Sequence, residues 1–248
     1  MKKLLLLTTA IVLLSLALTP SAVAQITTVQ TAMSSAVQKD ADPFTVVPFE
    51  FDPNASNLVR SRWMTGLGCL TSVTVFDFFG APTTVADPGC PMGDSKDKQN
   101  EGLLLVKTGP SIENFASAGA KLEGVKGITL TELGYDLRKP ASAGDPRGSH
   151  CGAGAPRFNV VTSDGVNHFV GCNSPPAMLA ASSASWIRLR WGPTQLAAAF
   201  PPILPVNTIT SITIIFDEGT DTGPDNFGLA VLDNVDVNAT LVGKGPGS

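Results

Sequence analysis

Phe216-Asp217-Glu218-Gly219-Thr220-Asp221-Thr222-Gly223-Pro224-Asp225-Asn226-Phe227-Gly228-Leu229-Ala230-Val231-Leu232-Asp233-Asn234-Val235-Asp236-Val237 is the stretch whose reading decides the fold. An acidic, Gly-containing loop separates two runs that alternate with period two. Upstream, Ile212, Ile214 and Phe216 share a face; downstream, Phe227, Leu229, Val231, Val235 and Val237 do. Two β-strands joined by a loop are the reading, and the apolar load of the second predicts a central strand rather than an edge. Asp233 falls among those apolar positions. An isolated buried carboxylate costs too much to leave alone, so it must be ion-paired, hydrogen-bonded or bound to a metal. No Lys or Arg lies within ten residues of it on either side.

Working outward, Gly, Pro and Asp punctuate the chain from Phe44 onward, and short runs rich in Val, Ile, Thr and Phe lie between them. That is the signature of an all-β sandwich. About ten strands are predicted, over 45–51, 71–79, 102–107, 118–123, 128–138, 156–162, 167–171, 186–191, 208–216 and 227–237. In the run from Ile128 the apolar set shifts from Ile128 and Leu130 to Leu133, Tyr135 and Leu137, which predicts a β-bulge near Thr131 and Glu132. Helix signal is confined to 193–200, stopped by Pro201-Pro202, and to an Ala- and Ser-rich stretch over 177–185 that reads as a loop or a second short helix.

The N-terminus reads as a leader. Lys2 and Lys3 precede an apolar run over 4–18, then Pro20-Ser21-Ala22-Val23-Ala24, which predicts a signal peptide over 1–24. Residues 25–43 read as an arm or linker, 44–243 as a single β-sandwich domain and 244–248 as a flexible tail. Losing Lys2 and Lys3 takes the basic count from 17 to 15 (17 − 2) against 21 acids. This balance argues against a nucleic-acid partner. No later apolar stretch is long enough to span a membrane. The expected location is secreted: extracellular, at the cell surface or in the periplasm.

Export places the four cysteines where disulfides persist. Cys69 and Cys90 are 21 residues apart, and so are Cys151 and Cys172. Four cysteines permit three connectivities; local pairing is the expectation, because each pair brackets one strand–loop–strand unit.

Asp217, Glu218, Asp221 and Asp225 crowd one loop without a compensating Lys or Arg. Crowded hard oxygen ligands suit Ca2+, although the spacing is not that of an EF-hand. The alternative is a solvated hairpin loop. For Asp233 the two readings are a structural cation and a buried hydrogen-bonded carboxylate.

Leu232-Asp233-Asn234-Val235-Asp236-Val237, preceded by a loop and by an Ile-rich strand ending in Phe216-Asp217, resembles the last two strands of jelly-roll carbohydrate-binding modules. The resemblance implies a jelly roll in which Asp233 ligates a structural Ca2+ together with a carboxylate near the N-terminal strand. Glu50, in Pro48-Phe49-Glu50-Phe51, is the matching position, although Pro48 stands where Gly or Asn is usual. Asp217, Asp221 and Asp225 are the other oxygen donors within reach of this reading.

Sugar binding calls for aromatic platforms beside polar groups. On 186–191, Trp186, Arg188 and Arg190 share one face and Ile187, Leu189 and Trp191 the other. The first face is expected to meet solvent, where it could stack on a sugar; the alternative is a half-covered surface with snorkelling Arg stems. Catalytic signatures are poor: there is no G-x-S-x-G, no HExxH and no phosphate loop. His150 reads as a loop residue beside a cysteine and His168 as a strand residue. The leading expectation is a non-catalytic extracellular binding module for a polysaccharide or cell-surface glycan. The alternatives are a structural or adhesive surface protein and a secreted hydrolase built on paired carboxylates.

Overall fold

The computed structural model describes residues 44–111, 114–140, 155–172, 174–221, 226 and 228–248. Among these residues are fourteen strands and one short helix. They are β1 (Thr45–Phe51), β2 (Val59–Thr65), β3 (Val73–Phe76), β4 (Pro82–Val85), β5 (Glu101–Lys107), β6 (Ser117–Glu123), β7 (Leu133–Arg138), β8 (Arg157–Thr162), β9 (Asn167–Gly171), β10 (Met178–Ser182), β11 (Ile187–Trp191), α1 (Pro193–Leu196), β12 (Ile209–Phe216), β13 (Leu229–Val237) and β14 (Thr240–Val242). Sheet A runs in the order β1-β6-β12-β8-β9 and sheet B in the order β10-β11-β7-β13-β5-β2, with β14 on the end of β13. Without the flanking strands, β6-β12-β8-β9 faces β5-β13-β7-β11, two antiparallel sheets between which the chain crosses after each of these strands except β8, which turns straight into β9. This is a jelly roll. β13 is central, between β7 and β5, as its apolar load predicts.

The core lies between the sheets. Ala118, Ala120 and Leu122 of β6 and Ile212, Ile214 and Phe216 of β12 meet Leu103, Leu105, Leu133, Leu137 and Leu232 from sheet B. Tyr135, Phe158 and Trp191 form an aromatic nucleus with ring centroids 5.3–5.8 Å apart. Each polar end is satisfied: Tyr135 Oη donates to the Pro156 carbonyl at 2.7 Å and Trp191 Nε1 to the Pro175 carbonyl at 2.9 Å. Buried rings with partnered polar ends stabilise the core without an unpaired donor. His168 is a strand residue of β9, with Nδ1 against the Pro201 carbonyl and Nε2 against the Thr162 hydroxyl, both at 2.8 Å.

Several sequence expectations change. The run 71–79 is not one strand but the start of a hairpin, β3 turning into β4. The stretch 177–185 holds strand β10, paired with β11, rather than a helix or loop. The shift of face between Leu130 and Leu133 marks no bulge: β7 begins at Leu133, and Thr129 forms only an isolated bridge to Thr208. The bulge lies on β13 instead. Asp233 pairs with Asp136 and Asp236 with Gly134, so β13 carries one extra residue there, and Asn234 takes φ 45°. One extra residue reverses the alternation. Leu232, Val235 and Val237 therefore point into the sandwich, whereas Val231 points outward. Phe227 lies outside the described residues.

What meets Val231 is a second layer. Between β2 and β5 the chain makes an excursion, here called the flap, over the outer face of sheet B. Cys69 and Cys90 are bonded at its base with Cα atoms 6.3 Å apart, and Trp186 and Val231 pack against them. Cys172 is disulfide-bonded as well; its expected partner, Cys151, lies outside the described residues, as does His150. At the C-terminus, Gly245, in the segment expected to form a flexible tail, is buried and donates its N–H to Glu101 Oε2 at 2.8 Å.

Candidate functional site

The flap changes the meaning of the Trp186 face. Alternation on β11 is as predicted: Ile187, Leu189 and Trp191 enter the core, and Trp186, Arg188 and Arg190 point away from it. The expected exposure is overturned, because all three are buried on the outer face of sheet B. Trp186 lies against the disulfide, with the Arg138 guanidinium 5.1 Å from its ring centre. Arg188 grips Asp136 with two hydrogen bonds of 2.7 Å and donates to the Met92 carbonyl of the flap. Arg190 pairs with Asp236 at 2.9 Å. These guanidinium–carboxylate pairs tie β11 to β7 and β13 within sheet B, and the Arg188 bond to Met92 ties that sheet to the flap, so both guanidinium groups are engaged within the protein.

Asp233 is buried as expected, and two backbone amides hold it. Cys69 N–H donates to Oδ2 at 2.7 Å and Asn234 N–H to Oδ1 at 2.6 Å. Burial pushes its pKa well above the usual carboxylate range, against the pull of these two donors. The hydrogen-bonded reading is thus the one the geometry displays. The other described carboxylates of the calcium reading have partners elsewhere. Glu50 is exposed, accepts from Ser61 N–H and lies 3.5 Å from Arg60. Asp217 pairs with Arg157, and Asp221 accepts from Ser111 N–H at 2.6 Å. Asp225 lies outside the described residues. Among the described residues, the one trio of His, Cys, Asp or Glu with ligand atoms close enough to share an ion is Cys69, Asp87 and Cys90. Two of these sulfurs are bonded to each other, which removes the thiolates a metal would need.

A cleft beneath the flap is lined by Asp233 and Asn234 with Cys69 and Asp97, and another concave site lies on the other layer. At one end of sheet A, the outward-facing residues Phe51 of β1, Ser117 of β6, Ile215 of β12 and Arg157 and Asn159 of β8 line a cleft of about 620 Å³ with Asp217. The same alternation that buries Ala118, Phe158 and Ile214 turns these residues out. Phe115 closes one side and is 78% exposed; Phe51 is 51% exposed. Arg157 holds Asp217 through two hydrogen bonds of 2.7 Å. Burial raises the Asp217 pKa, but Arg157 and then Lys107 outweigh it, and the carboxyl ends below its usual range. Lys107 is buried, donates to the Asn114 carbonyl at 2.9 Å, and has its pKa lowered by that burial. Asn159 Oδ1 is buried and has no hydrogen-bond partner among the described residues.

The rim is stitched from two loops. Gly219 N–H donates to Ser111 Oγ at 2.8 Å and Thr220 N–H to the Gly109 carbonyl at 3.1 Å. A Cβ on Gly219 would stand 2.2 Å from the Gly109 carbonyl, so only glycine allows this approach. Glu218 also lines the cleft, and its carboxylate is buried against Lys139.

Of the residues read as a site from the sequence, Asp217 and Glu218 lie in this cleft, the first as the partner of Arg157 and the second against Lys139. Phe51, Phe115, Ser117, Arg157 and Asn159 were missed. The signal for two of them was present: Arg157-Phe158-Asn159-Val160 alternates polar and apolar, which puts Arg157 and Asn159 on an outward face. Comparison with known proteins gives no match: no family model, no curated protein and no solved structure.

Proposed function

We propose that this chain is an exported, non-catalytic binding module that holds a carbohydrate in the cleft of sheet A. The observation that carries the reading is the company kept by Asn159: an unpartnered carbonyl oxygen, beside a preformed Arg157–Asp217 fork, between two exposed phenylalanine rings. A sugar hydroxyl donates and accepts at once, so it can give its proton to the Asn159 carbonyl while the fork takes its neighbours. The apolar C–H face of a pyranose ring suits the Phe51 and Phe115 rings. The leader-like segment over 1–24 supports export.

The acids of the cleft favour binding over glycoside hydrolysis. A hydrolytic pair needs one carboxyl held protonated near neutral pH. Asp217 is shifted the other way by Arg157, and Glu218 is committed to Lys139. A glycan array and affinity electrophoresis through soluble polysaccharides test the proposal. Binding by the wild type, reduced about tenfold or more by Asn159→Ala and by Phe115→Ala, is the expected result, from the loss of one buried hydrogen bond or one stacking ring. Absence of any glycan ligand, or binding that survives both substitutions, overturns it.

A further inference from the structure

Among the described residues the β3–β4 hairpin is a finger that no other strand joins: β3 and β4 pair with each other alone, and the Cys69–Cys90 disulfide clamps the base. Thr74, Val75 and Phe76 of β3 and all four residues of β4 are exposed, so both faces of the ribbon meet solvent. A two-stranded ribbon alone in water is marginal, and something that covers its apolar residues would complete it. At the tip Phe76 is 69% exposed, Phe78 97% and Phe79 89%, the last two edge to face 5.5 Å apart. Asp77 does not oppose this. Its Oδ1 accepts from Phe79 N–H at 2.9 Å and Ala81 N–H at 2.8 Å, and its main chain bonds Ala81 O and Gly80 N–H at 3.0 Å. Gly80, at φ 78°, permits the turn.

We propose that this finger is a lipid-contacting element that seats Phe78 and Phe79 in the interfacial layer of a zwitterionic phospholipid surface. Three features select that occupant. The three rings expose roughly 500 Å² of aromatic surface, at about 200 Å² a ring. A stable protein interface takes about 800 Å² from each partner, so the tip is too small for a second copy or a protein partner on its own. The turn satisfies the Asp77, Phe79, Gly80 and Ala81 amides internally, which lowers the cost of entering an apolar layer. Finally, no Lys or Arg occurs between Arg62 and Lys96, so the finger lacks the basic residues that would direct it to an anionic surface.

Flotation of the purified protein with phosphatidylcholine vesicles tests the proposal. The wild type floats with the vesicles, and Phe78→Ser/Phe79→Ser lowers its partition coefficient about a hundredfold. Raising NaCl from about 0.1 to about 1 M leaves flotation unchanged, since no charge attraction is involved. Both side chains are exposed, so the double variant retains the wild-type denaturation midpoint. Phe115→Ser, in the cleft of sheet A, floats like the wild type. Because these vesicles carry no sugar, failure here is distinct from failure of the glycan reading. A wild type that stays with the unbound fraction overturns the proposal, as does a double variant that floats equally well. Concentration-dependent self-association without vesicles, lost in the double variant, assigns the finger to a second copy and overturns it as well.

Discussion

Asp233 and Asp236 lie on either side of the bulge in β13, and their burial is handled in two ways. Asp233 accepts two backbone N–H groups, from Cys69 and Asn234. Asp233→Ala leaves both donors buried and unpaired and is expected to cost about 2–4 kcal/mol, read from the urea midpoint; Asp233→Asn, which keeps one acceptor, costs less. Asp236 has an arginine instead, Arg190 at 2.9 Å, yet its Oδ1 has no donor among the described residues. Burial raises its pKa to about 7, with Glu132 adding to the rise and Arg190 opposing it. The folded state therefore holds a proton on Asp236 that the unfolded chain, at 3.8, has lost. That contribution to stability is complete below pH 3.8 and is lost as pH rises through about 7. Urea melts from pH 4 to 8 should show a downward contribution that Asp236→Asn removes. A wild type and a variant with parallel pH profiles would contradict it.

At the scale of the element, the bulge separates what the sequence joins. Val231 and Val235 read as neighbours on one face, but Val235 lies in the sandwich core and Val231 against the disulfide. Val235→Ala should cost about 1–3 kcal/mol by lost burial and a cavity. Val231→Ala should be coupled to removal of the disulfide, whereas Val235→Ala should add to it independently. A double-mutant cycle with Cys69→Ser/Cys90→Ser measures both, and equal coupling for the two valines would refute the face assignment. The strand itself was legible, because alternation over 227–237 needs only local sequence. The bulge was not, since its signal is Asn234 at positive φ, and asparagine takes that conformation in many turns. β10 and β2 were illegible for a related reason. They are sheet edges, and Met178-Leu179-Ala180-Ala181-Ser182 is mostly exposed, so it carries no buried face to set a period.

For the whole molecule, the all-β sandwich was legible because short alternating runs between Gly and Pro leave few other architectures. The site was not, because exposure depends on layers that form at long range. Arg188 and Arg190 look like surface residues until the flap, about a hundred residues earlier in the chain, covers them. The same layering places the two proposed contact surfaces on different layers: the cleft is on the outer face of sheet A, and the finger springs from the flap over sheet B. The sandwich core lies between them, and its strands do not depend on the finger for pairing. Removing the clamp with Cys69→Ser/Cys90→Ser should then lower stability by about 3 kcal/mol, as expected for a loop of this length. It should also reduce hydrogen-exchange protection over 66–100 while that of β6 and β12 persists. Glycan binding in the cleft should be unchanged in that variant at temperatures where it stays folded, because the described residues that line the cleft include none from the flap. Loss of cleft binding together with the clamp would mean that the two layers are coupled through the core, and the independence argued here would fail.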